Sequence, residues 1–222
     1  TLLNDNKPAD DVQDFPLTPK NEEEENIQKT ILDYLHDLVG LIAVIMLVFS
    51  LLFRVVIVDG PSMNDTLVHG DWLLLLGNFL YGEPDAGDII VASKDSFGDG
   101  EPIIKRVIAT EGQEVDIDFF NGIVYVDGVA LDEPYLHTPT IDEEGVKFPV
   151  TVPEGCVFVM GDNRGNSQDS RSPSIGFVDE REILGRAIFL LIPGDPDGQG
   201  NFGRVVIHEY HIRGLNGSIG TH

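Results

Sequence analysis

The serine that follows a Gly-Pro pair in this sequence is a residue whose type and position could serve nucleophilic chemistry. Ser62 stands in the segment Val58-Asp59-Gly60-Pro61-Ser62-Met63, eight residues beyond Arg54, which closes the one strongly apolar stretch. A serine hydroxyl becomes a nucleophile when a neighbouring base takes its proton. Gly, Pro and Ser are also the usual turn formers, so a simple tight turn is the alternative interpretation.

The base that could activate Ser62 is a lysine rather than a histidine. None of the six histidines lies in a polar motif. Lys105 stands inside the apolar segment 103–108, and burial lowers the pKa of a lysine because it disfavours the ammonium form. The alternative is a lysine of an edge strand that points into water.

The third stretch that could take part in chemistry is the polar segment 161–171, Gly-Asp-Asn-Arg-Gly-Asn-Ser-Gln-Asp-Ser-Arg. It crowds two arginines and two aspartates among small hydrogen-bonding groups, directly after a predicted strand. A solvated loop is one interpretation. Its density of charge-pairing groups favours a hydrogen-bonded shell that orients reacting side chains.

Length and composition limit what can position these residues. A chain of 222 residues holds one sizeable domain and an appendage. The formal net charge of -24 disfavours nucleic-acid binding, which needs clustered basic side chains. One cysteine, Cys156, makes neither an internal disulfide nor a zinc site, and the histidines lack ligand spacing, so we expect no metal.

The N-terminal part of the chain predicts a tail and a membrane anchor. Residues 1–26 are acidic and contain proline, which predicts a disordered tail. Residues 27–58 are assigned to one uncleaved anchor helix: residues 38–53 carry no charge, and Arg54 can snorkel, which brings the span to about 20 residues. A buried helix of a soluble protein is the alternative.

The remainder, residues 59–222, predicts a β-rich domain. Short apolar segments separated by Gly- and Pro-rich turns occur at 71–76, 88–93 and 103–108. Residues 114–126 predict a hairpin with a type I′ turn at Asn121-Gly122, and Asp127-Gly128 offers a second turn. The predicted fold class is therefore mainly β, an antiparallel β domain that follows one transmembrane helix.

Taken in order, these motifs resemble those of bacterial type I signal peptidases. They are Gly-Pro-Ser-Met with Thr66-Leu67, then Gly-Asp-Ile-Ile-Val at 87–91, Ile-Lys-Arg-Val-Ile at 104–108, and the segment 161–171. The resemblance covers about residues 38–192. It implies a membrane-bound serine endopeptidase with a Ser/Lys dyad and no cofactor.

The resemblance also implies roles for single residues. Ser62 would be the nucleophile and Lys105 the neutral general base, with the Ser167 hydroxyl orienting the lysine amine. The backbone N–H of Ser62 would be one donor of the oxyanion hole. Some members have a serine two residues before the nucleophile that supplies a second donor; this sequence has Gly60 there.

Further residues of this sequence match positions of the family in residue type. Two salt bridges are implied beside the dyad, Asp162 with Arg106 and Asp169 with Arg171. Substrates would be secreted preproteins, bound as an added strand and cut after small residues at -1 and -3. The positions that would line the shallow pocket for the -1 side chain are Val58, Met63, Leu67 and Ile104.

The resemblance places the protein in the plasma membrane as a single-pass monomer, with the acidic tail in the cytoplasm and the catalytic domain on the extracytoplasmic side. Two other hypotheses remain open at this point. One is a self-cleaving Ser/Lys protease of the repressor type, which would be soluble. The other is an inactive membrane-tethered β module that only binds secreted partners.

Overall fold

The computed structural model describes residues 20–64, 66–77, 80, 82–94, 100–136, 138–194 and 220–221. The chain divides into two compact units, and the boundary between them in the sequence lies between Leu47 and Val48. Within the described residues, one α-helix is followed by strands and by two 3₁₀ turns, Arg164–Asn166 and Glu180–Glu182. The helix and strands are α1 Lys20–Leu52, β1 Phe53–Ile57, β2 Trp72–Gly77, β3 Ile89–Ser93, β4 Pro102–Ala109, β5 Glu114–Asp118, β6 Ile123–Val126, β7 Val129–Asp132, β8 Val150–Thr151, β9 Cys156–Met160, β10 Val178–Asp179, β11 Ile183–Ile192 and β12 Gly220–Thr221.

Helix α1 is long and apolar enough to cross a membrane. Its apolar part, Asn26–Leu52, has 27 residues and extends for about 40 Å, more than the ~30 Å hydrocarbon core of a bilayer. The large apolar side chains along it are exposed, which suits a lipid environment. The helix begins at Lys20, so residues 20–26 of the predicted disordered tail are helical, and residues 1–19 lie outside the described residues. Acidic residues at 22–25 favour a helix N-terminus.

The helix ends at Leu52 and not at Val58, where the predicted anchor ended. The next residues form β1, which pairs antiparallel with β2 from Phe53 opposite Leu76 to Ile57 opposite Trp72. The Val-Val-Ile sequence of β1 is β-branched and favours a strand. Pairing with β2 therefore takes these apolar residues out of the helix.

The larger sheet has seven strands in the order β1-β2-β11-β3-β4-β9-β10, and the strand pairs with a resolved register are antiparallel. β1 is an edge strand of this sheet. β9 pairs with β4 only from Arg106 onward. Among the described residues, the first half of β4 therefore has a strand on one side only. The prediction of a mainly antiparallel β domain behind an apolar helix is confirmed.

A smaller sheet has five strands in the order β12-β7-β6-β5-β8. It shares a core cluster with β4 and β9 of the larger sheet, and this cluster includes Ile108, Val124 and Phe158. The predicted hairpin of β5 and β6 is present, but its turn has four residues because β5 ends at Asp118. The Asp118 carboxylate accepts hydrogen bonds from the backbone N–H groups of Phe120 and Asn121, and these bonds end the strand. The tight two-residue turn is instead at Asp127-Gly128, where both residues have positive φ.

Candidate active site

The nucleophile candidate Ser62 lies in a helical turn directly after β1. The N–H of Asn64 donates to Pro61 O (3.0 Å) and the N–H of Leu67 donates to Met63 O (2.8 Å). The side chains of Met63 and Leu67 are fully buried and anchor this turn to the core. Ser62 itself is half-buried, so its hydroxyl can be reached from solvent.

The structure brings Lys105 to Ser62. The Nζ atom of Lys105 lies 2.8 Å from Ser62 Oγ, within hydrogen-bond distance. Alternation along β4 places Lys105 on the same face as Ile103 and Val107, which are buried in one core cluster with Ile90. The lysine is 5% exposed, and this burial lowers its pKa from 10.5 to about 8.

The next strand residue, Arg106, forms a buried ion pair with Asp162. The Nε and Nη2 atoms of Arg106 donate to the two carboxylate oxygens at 2.8 and 2.7 Å. Thr66 Oγ1 donates to the same carboxylate at 2.5 Å. The ring of Tyr135 lies under the guanidinium, 4.0 Å from Cζ to the ring centroid. The Asp162 carboxylate is thus fully paired although it lies close to the lysine.

A second buried ion pair joins Asp169 to Arg171. The guanidinium of Arg171 donates to both Asp169 oxygens at 2.9 Å and lies 2.8 Å from Glu144. The Ser167 hydroxyl donates to Asp169 Oδ2 at 2.9 Å. The resemblance implied that this hydroxyl orients Lys105; the structure gives it Asp169 as its hydrogen-bond acceptor.

Gly161 is the point where the polar loop approaches the nucleophile. A Cβ atom at this position would lie 2.1 Å from Ser167 Oγ and 2.5 Å from Ser62 O. Two residues later, the N–H of Asn163 donates to Ser62 O at 3.0 Å. Neither residue was assigned a role from the sequence. A glycine at the end of a buried strand is the signal that indicates such a close approach.

Gly60 offers the site no donor that points toward Ser62. Its φ of +96° favours glycine and strains other residues. Its N–H is directed at Nδ1 of His69, at 3.4 Å. His69 is also 3.1 Å from Asp59. Position 60 therefore adds no second hydrogen-bond donor beside the backbone N–H of Ser62.

An open groove of about 530 Å³ runs past the Ser62 hydroxyl, between the segment 56–63 and the segment 101–105. Val58, Met63 and Ile104, three of the four predicted pocket residues, line it. Leu67 does not: it is fully buried in the core cluster under the groove. The helical turn points Leu67 into the core, which the sequence alone could not distinguish from the groove.

A further buried network beside the site was not anticipated. Arg164 pairs with Glu133, donates to Thr140 and donates through Nε to Gly161 O at 3.1 Å. The hydroxyl of Tyr135 donates to Glu133 at 2.8 Å, and burial raises the pKa of this tyrosine. The signal for Arg164 was its place in the polar segment; the residues at 133–140 gave none. This network ties the loop around the dyad to the chain between β7 and β8.

The site has no sign of a metal centre in the part of the chain that the structure describes, where no three His, Cys, Asp or Glu side chains are grouped as ligands. Cys156, on β9, is half-buried, and burial raises the pKa of its thiol. A raised pKa keeps the thiol protonated and unreactive.

Comparison with known proteins identifies the family. The family described as "Signal peptidase, peptidase S26" matches residues 31–192. The probable signal peptidase I-1 of Synechocystis sp. is 39% identical over 166 residues, 69% of this chain and 81% of that protein. Signal peptidase I S of Bacillus subtilis is 33% identical over 175 residues, 75% of this chain and 91% of that protein.

A crystal structure of a signal peptidase I from Enterococcus faecalis is 32% identical and covers 48% of this chain and 97% of the other, with a TM-score of 0.39. The family match covers α1 from residue 31 onward and the strands of the larger sheet, and it includes Ser62 and Lys105. The chain therefore belongs to the signal peptidase family, peptidase S26, and is a serine endopeptidase of the bacterial type I group.

Proposed function

We propose that the protein removes signal peptides from secreted preproteins with Ser62 as nucleophile and Lys105 as general base. Family membership supports the removal of signal peptides. The observation that carries the dyad is the 2.8 Å separation of Ser62 Oγ and Lys105 Nζ. A lysine pKa of about 8 leaves a useful neutral fraction near neutral pH, as a base requires.

The chemistry follows from these two side chains. The Ser62 proton passes to the Lys105 amine while Oγ bonds to the substrate carbonyl carbon, and the carbonyl oxygen takes the negative charge. The Ser62 N–H donates to that oxyanion. When the intermediate collapses, the C–N bond breaks and the Lys105 ammonium gives its proton to the leaving amine. Water then attacks the acyl-enzyme and loses a proton to Lys105; when this second intermediate collapses, the ester C–O bond breaks and the Lys105 ammonium returns the proton to Ser62 Oγ.

The surrounding ion pairs allow the lysine to be neutral. Desolvation by burial is the largest influence on its pKa and lowers it, whereas the carboxylates of Asp169, Glu144 and Asp162 raise it. Each of these carboxylates is paired with Arg106 or Arg171. The arginines cancel much of the negative charge that would otherwise hold the lysine as an ammonium ion.

The groove supports binding of the substrate as an extended strand. Directly after β1, the N–H of Val58 donates to Asp71 O and its C=O accepts from Gly70 N, so these backbone groups point toward the β2 side. Because backbone groups alternate along a strand, those of Ile57 and Asp59 point to the open side, at the groove.

The opposite wall of the groove is built in the same way. In β4, Val107 N donates to Asp88 O and Val107 O accepts from Gly87 N, which places these groups on the β3 side. By alternation, the N–H and C=O of Ile104 point to the side without a strand partner in the described sheet. An extended peptide between these two edges would complete the hydrogen bonding of both.

Small residues at -1 and -3 fit the walls of this groove. Val58 and Met63 are almost fully buried, and with the half-buried Ile104 they form a shallow apolar surface beside Ser62. We expect a large side chain to clash with this surface unless the core moves, and core packing resists such movement. Alanine would fit without displacing the backbone carbonyl from Ser62.

The membrane partner is the lipid bilayer around α1. We place the acidic N-terminal segment in the cytoplasm, α1 across the membrane once, and the residues from Phe53 onward on the extracytoplasmic side. Ser62 follows the end of the helix by only ten residues in the chain, which suits a substrate whose signal peptide is held in the same membrane. We expect a monomer. Because the net charge is -24, we also expect no binding of nucleic acid.

The proposal is tested by cleavage of a purified preprotein in detergent. Ser62→Ala and Lys105→Met should each lower kcat/KM by about a thousandfold or more. Lys94→Met is the control: Lys94 is half-buried, but its Nζ donates to Phe177 O and lies 3.7 Å from Glu182. This control should keep its activity per folded molecule.

The wild-type rate should rise with pH with a midpoint near 8, as Lys105 loses its proton. An acylating serine reagent should label the wild type and leave Ser62→Ala unlabelled. Activity retained by Ser62→Ala or Lys105→Met would refute the dyad, and a wild type that neither cleaves nor becomes labelled would favour a binding module.

A further inference from the structure

The peptide unit between Pro61 and Ser62 carries the oxyanion donor, and it is held from outside its own turn. Pro61 O accepts two hydrogen bonds at 3.0 Å, one from the N–H of Asn64 in the same turn and one from Nδ2 of Asn163. Ser62 O accepts the N–H of Asn163, also at 3.0 Å. One residue of the distant polar loop therefore binds the carbonyl groups on both sides of the nucleophile.

The orientation of this peptide decides where the Ser62 N–H points. In a trans peptide the C=O and the N–H of the unit point in opposite directions. A donor that fixes Pro61 O therefore also fixes the Ser62 N–H on the other side of the peptide plane. The first N–H groups of a helical turn have no partner within the turn, so the Ser62 N–H is free to bind an oxyanion.

We propose that Asn163 is a positioning residue that aims the Ser62 N–H at the oxyanion. This inference rests on the proposed function, since it assigns the support of that mechanism's oxyanion donor. It follows from the two hydrogen bonds of Asn163 and from the absence of a side chain at Gly60. With no hydroxyl at position 60, more of the stabilisation depends on the direction of one N–H.

Gly161 gives Asn163 its access to the turn. The polar loop leaves β9 at Gly161, whose missing side chain lets Ser62 O approach to a distance that a Cβ atom would fill. Two residues later, both the backbone and the side-chain amide of Asn163 reach the turn. The arrangement is a two-point clamp, which resists rotation of the peptide better than a single hydrogen bond.

The size of the expected effect follows from what remains after the amide is removed. Removal of an oxyanion donor lowers kcat by about 100-fold to 1,000-fold. In Asn163→Ala the N–H of Asn64 still binds Pro61 O, and the backbone N–H at 163 still binds Ser62 O. The peptide unit between Pro61 and Ser62 therefore becomes more mobile but keeps its mean orientation. We expect kcat to fall by about tenfold to a hundredfold.

The experiment compares Asn163→Ala with Asn121→Ala in the full-length chain in detergent. Asn121 is an exposed amide in the turn between β5 and β6, and its Nδ2 donates one hydrogen bond, to Asp118 at 2.6 Å. Both variants lose one amide hydrogen bond and should lose similar stability. Only Asn163→Ala should lose kcat, with KM unchanged and the pH midpoint still near 8.

A peptide aldehyde that ends in alanine gives a second readout, because its adduct with Ser62 carries an oxyanion. Asn163→Ala should bind this aldehyde more weakly by the same factor as the loss in kcat/KM, and bind the corresponding product acid with unchanged affinity. Asn163→Leu, whose side chain is close in size, lacks the donor and adds no charge, should behave in the same way. If Asn163→Ala misfolds, the leucine variant provides the test.

Activity of both Asn163 variants within threefold of Asn121→Ala would overturn the inference, and so would a loss confined to KM. If Ser62→Ala is inactive in the same assay, that result refutes the role of Asn163 alone. If Ser62→Ala still cleaves, the proposed function itself has failed.

Discussion

Two Asp-x-Arg segments, ten residues apart in the chain, form the same ion pair in opposite surroundings. In Asp169-Ser170-Arg171 the guanidinium donates through Nε and Nη2 to the two carboxylate oxygens at 2.9 Å. In Asp179-Glu180-Arg181 the same atoms pair at 2.8 and 2.5 Å. The first pair is fully buried, whereas the arginine of the second is 89% exposed.

The difference shows that burial, and not geometry, gives such a pair its importance. The buried guanidinium of Arg171 also binds Arg164 O at 2.9 Å and Ser167 O at 3.3 Å, so it holds the loop in shape. The exposed pair of Asp179 and Arg181 only closes a 3₁₀ turn. Water competes for the exposed charges and salt screens them, while the buried charges have no substitute partner.

The largest expected effect is on stability. Arg171→Met leaves the buried carboxylate of Asp169 without its counter-ion, which should cost about 3–5 kcal/mol of unfolding free energy. Arg181→Met removes the same atoms from the exposed pair and should leave the unfolding free energy nearly unchanged. Urea unfolding in detergent, followed by the fluorescence of Trp72, the one tryptophan, measures both. Equal losses in the two variants would show that geometry, and not burial, decides.

This contrast also marks what the sequence could predict about the site. Ser62, Lys105 and the polar loop were identified because nucleophile, base and counter-charges must be particular residue types. The two Asp-x-Arg segments look alike in sequence, and only the density of polar residues at 161–171 distinguished the buried one. The hydrogen bond of Ser167 to Asp169 and the clamp by Asn163 depend on tertiary contacts that residue types do not specify.

The fold was predictable in class and less so at its boundaries. Alternating apolar segments and Gly-rich turns indicated an antiparallel β domain, but the apolar run at 38–58 suits a helix and a strand equally well. Pairing of Phe53–Ile57 with β2 ends the helix at Leu52. For the same reason Leu67, which is apolar and four residues beyond Met63, could not be assigned to core or groove.

The second-largest effect concerns Lys105, a buried amine for which the described part of the chain provides no ion-paired carboxylate. The pKa of Lys105 is about 8 in the folded protein and 10.5 ordinarily, so between these values the unfolded chain binds more protons. The free energy of unfolding therefore has its full value above pH 10.5. It falls as the pH drops from 10.5 through 8, by about 3 kcal/mol in total.

Lys105→Met should therefore be inactive and yet more stable than the wild type below pH 8, with the gain vanishing near pH 10.5. Urea unfolding at a series of pH values measures the gain. Lys94→Met, which removes a lysine that is paired with Glu182, is the control and should show no such gain. A gain for Lys105→Met that does not depend on pH would mean that better packing, and not the buried charge, causes it.

The smallest effect is a shift in the pH dependence of cleavage, with opposite signs for the two partners of the buried pair. Burial sets the low pKa of Lys105; on top of this, Asp169 raises it and Arg171 lowers it. Asp169→Asn should therefore move the midpoint of kcat/KM below its wild-type value, and Arg171→Met should move it above.

The exposed partners provide the matched pair of controls, because Asp179→Asn and Arg181→Met change the same charges at a site that does not influence Lys105. Both should leave the midpoint where it is. The midpoint is independent of how much active enzyme survives each substitution, so it separates an electrostatic influence from simple loss of folding. Shifts of the same sign for Asp169→Asn and Arg171→Met would indicate that the loop moves away from Lys105 in both variants, since only displacement acts on the lysine without regard to the sign of the removed charge.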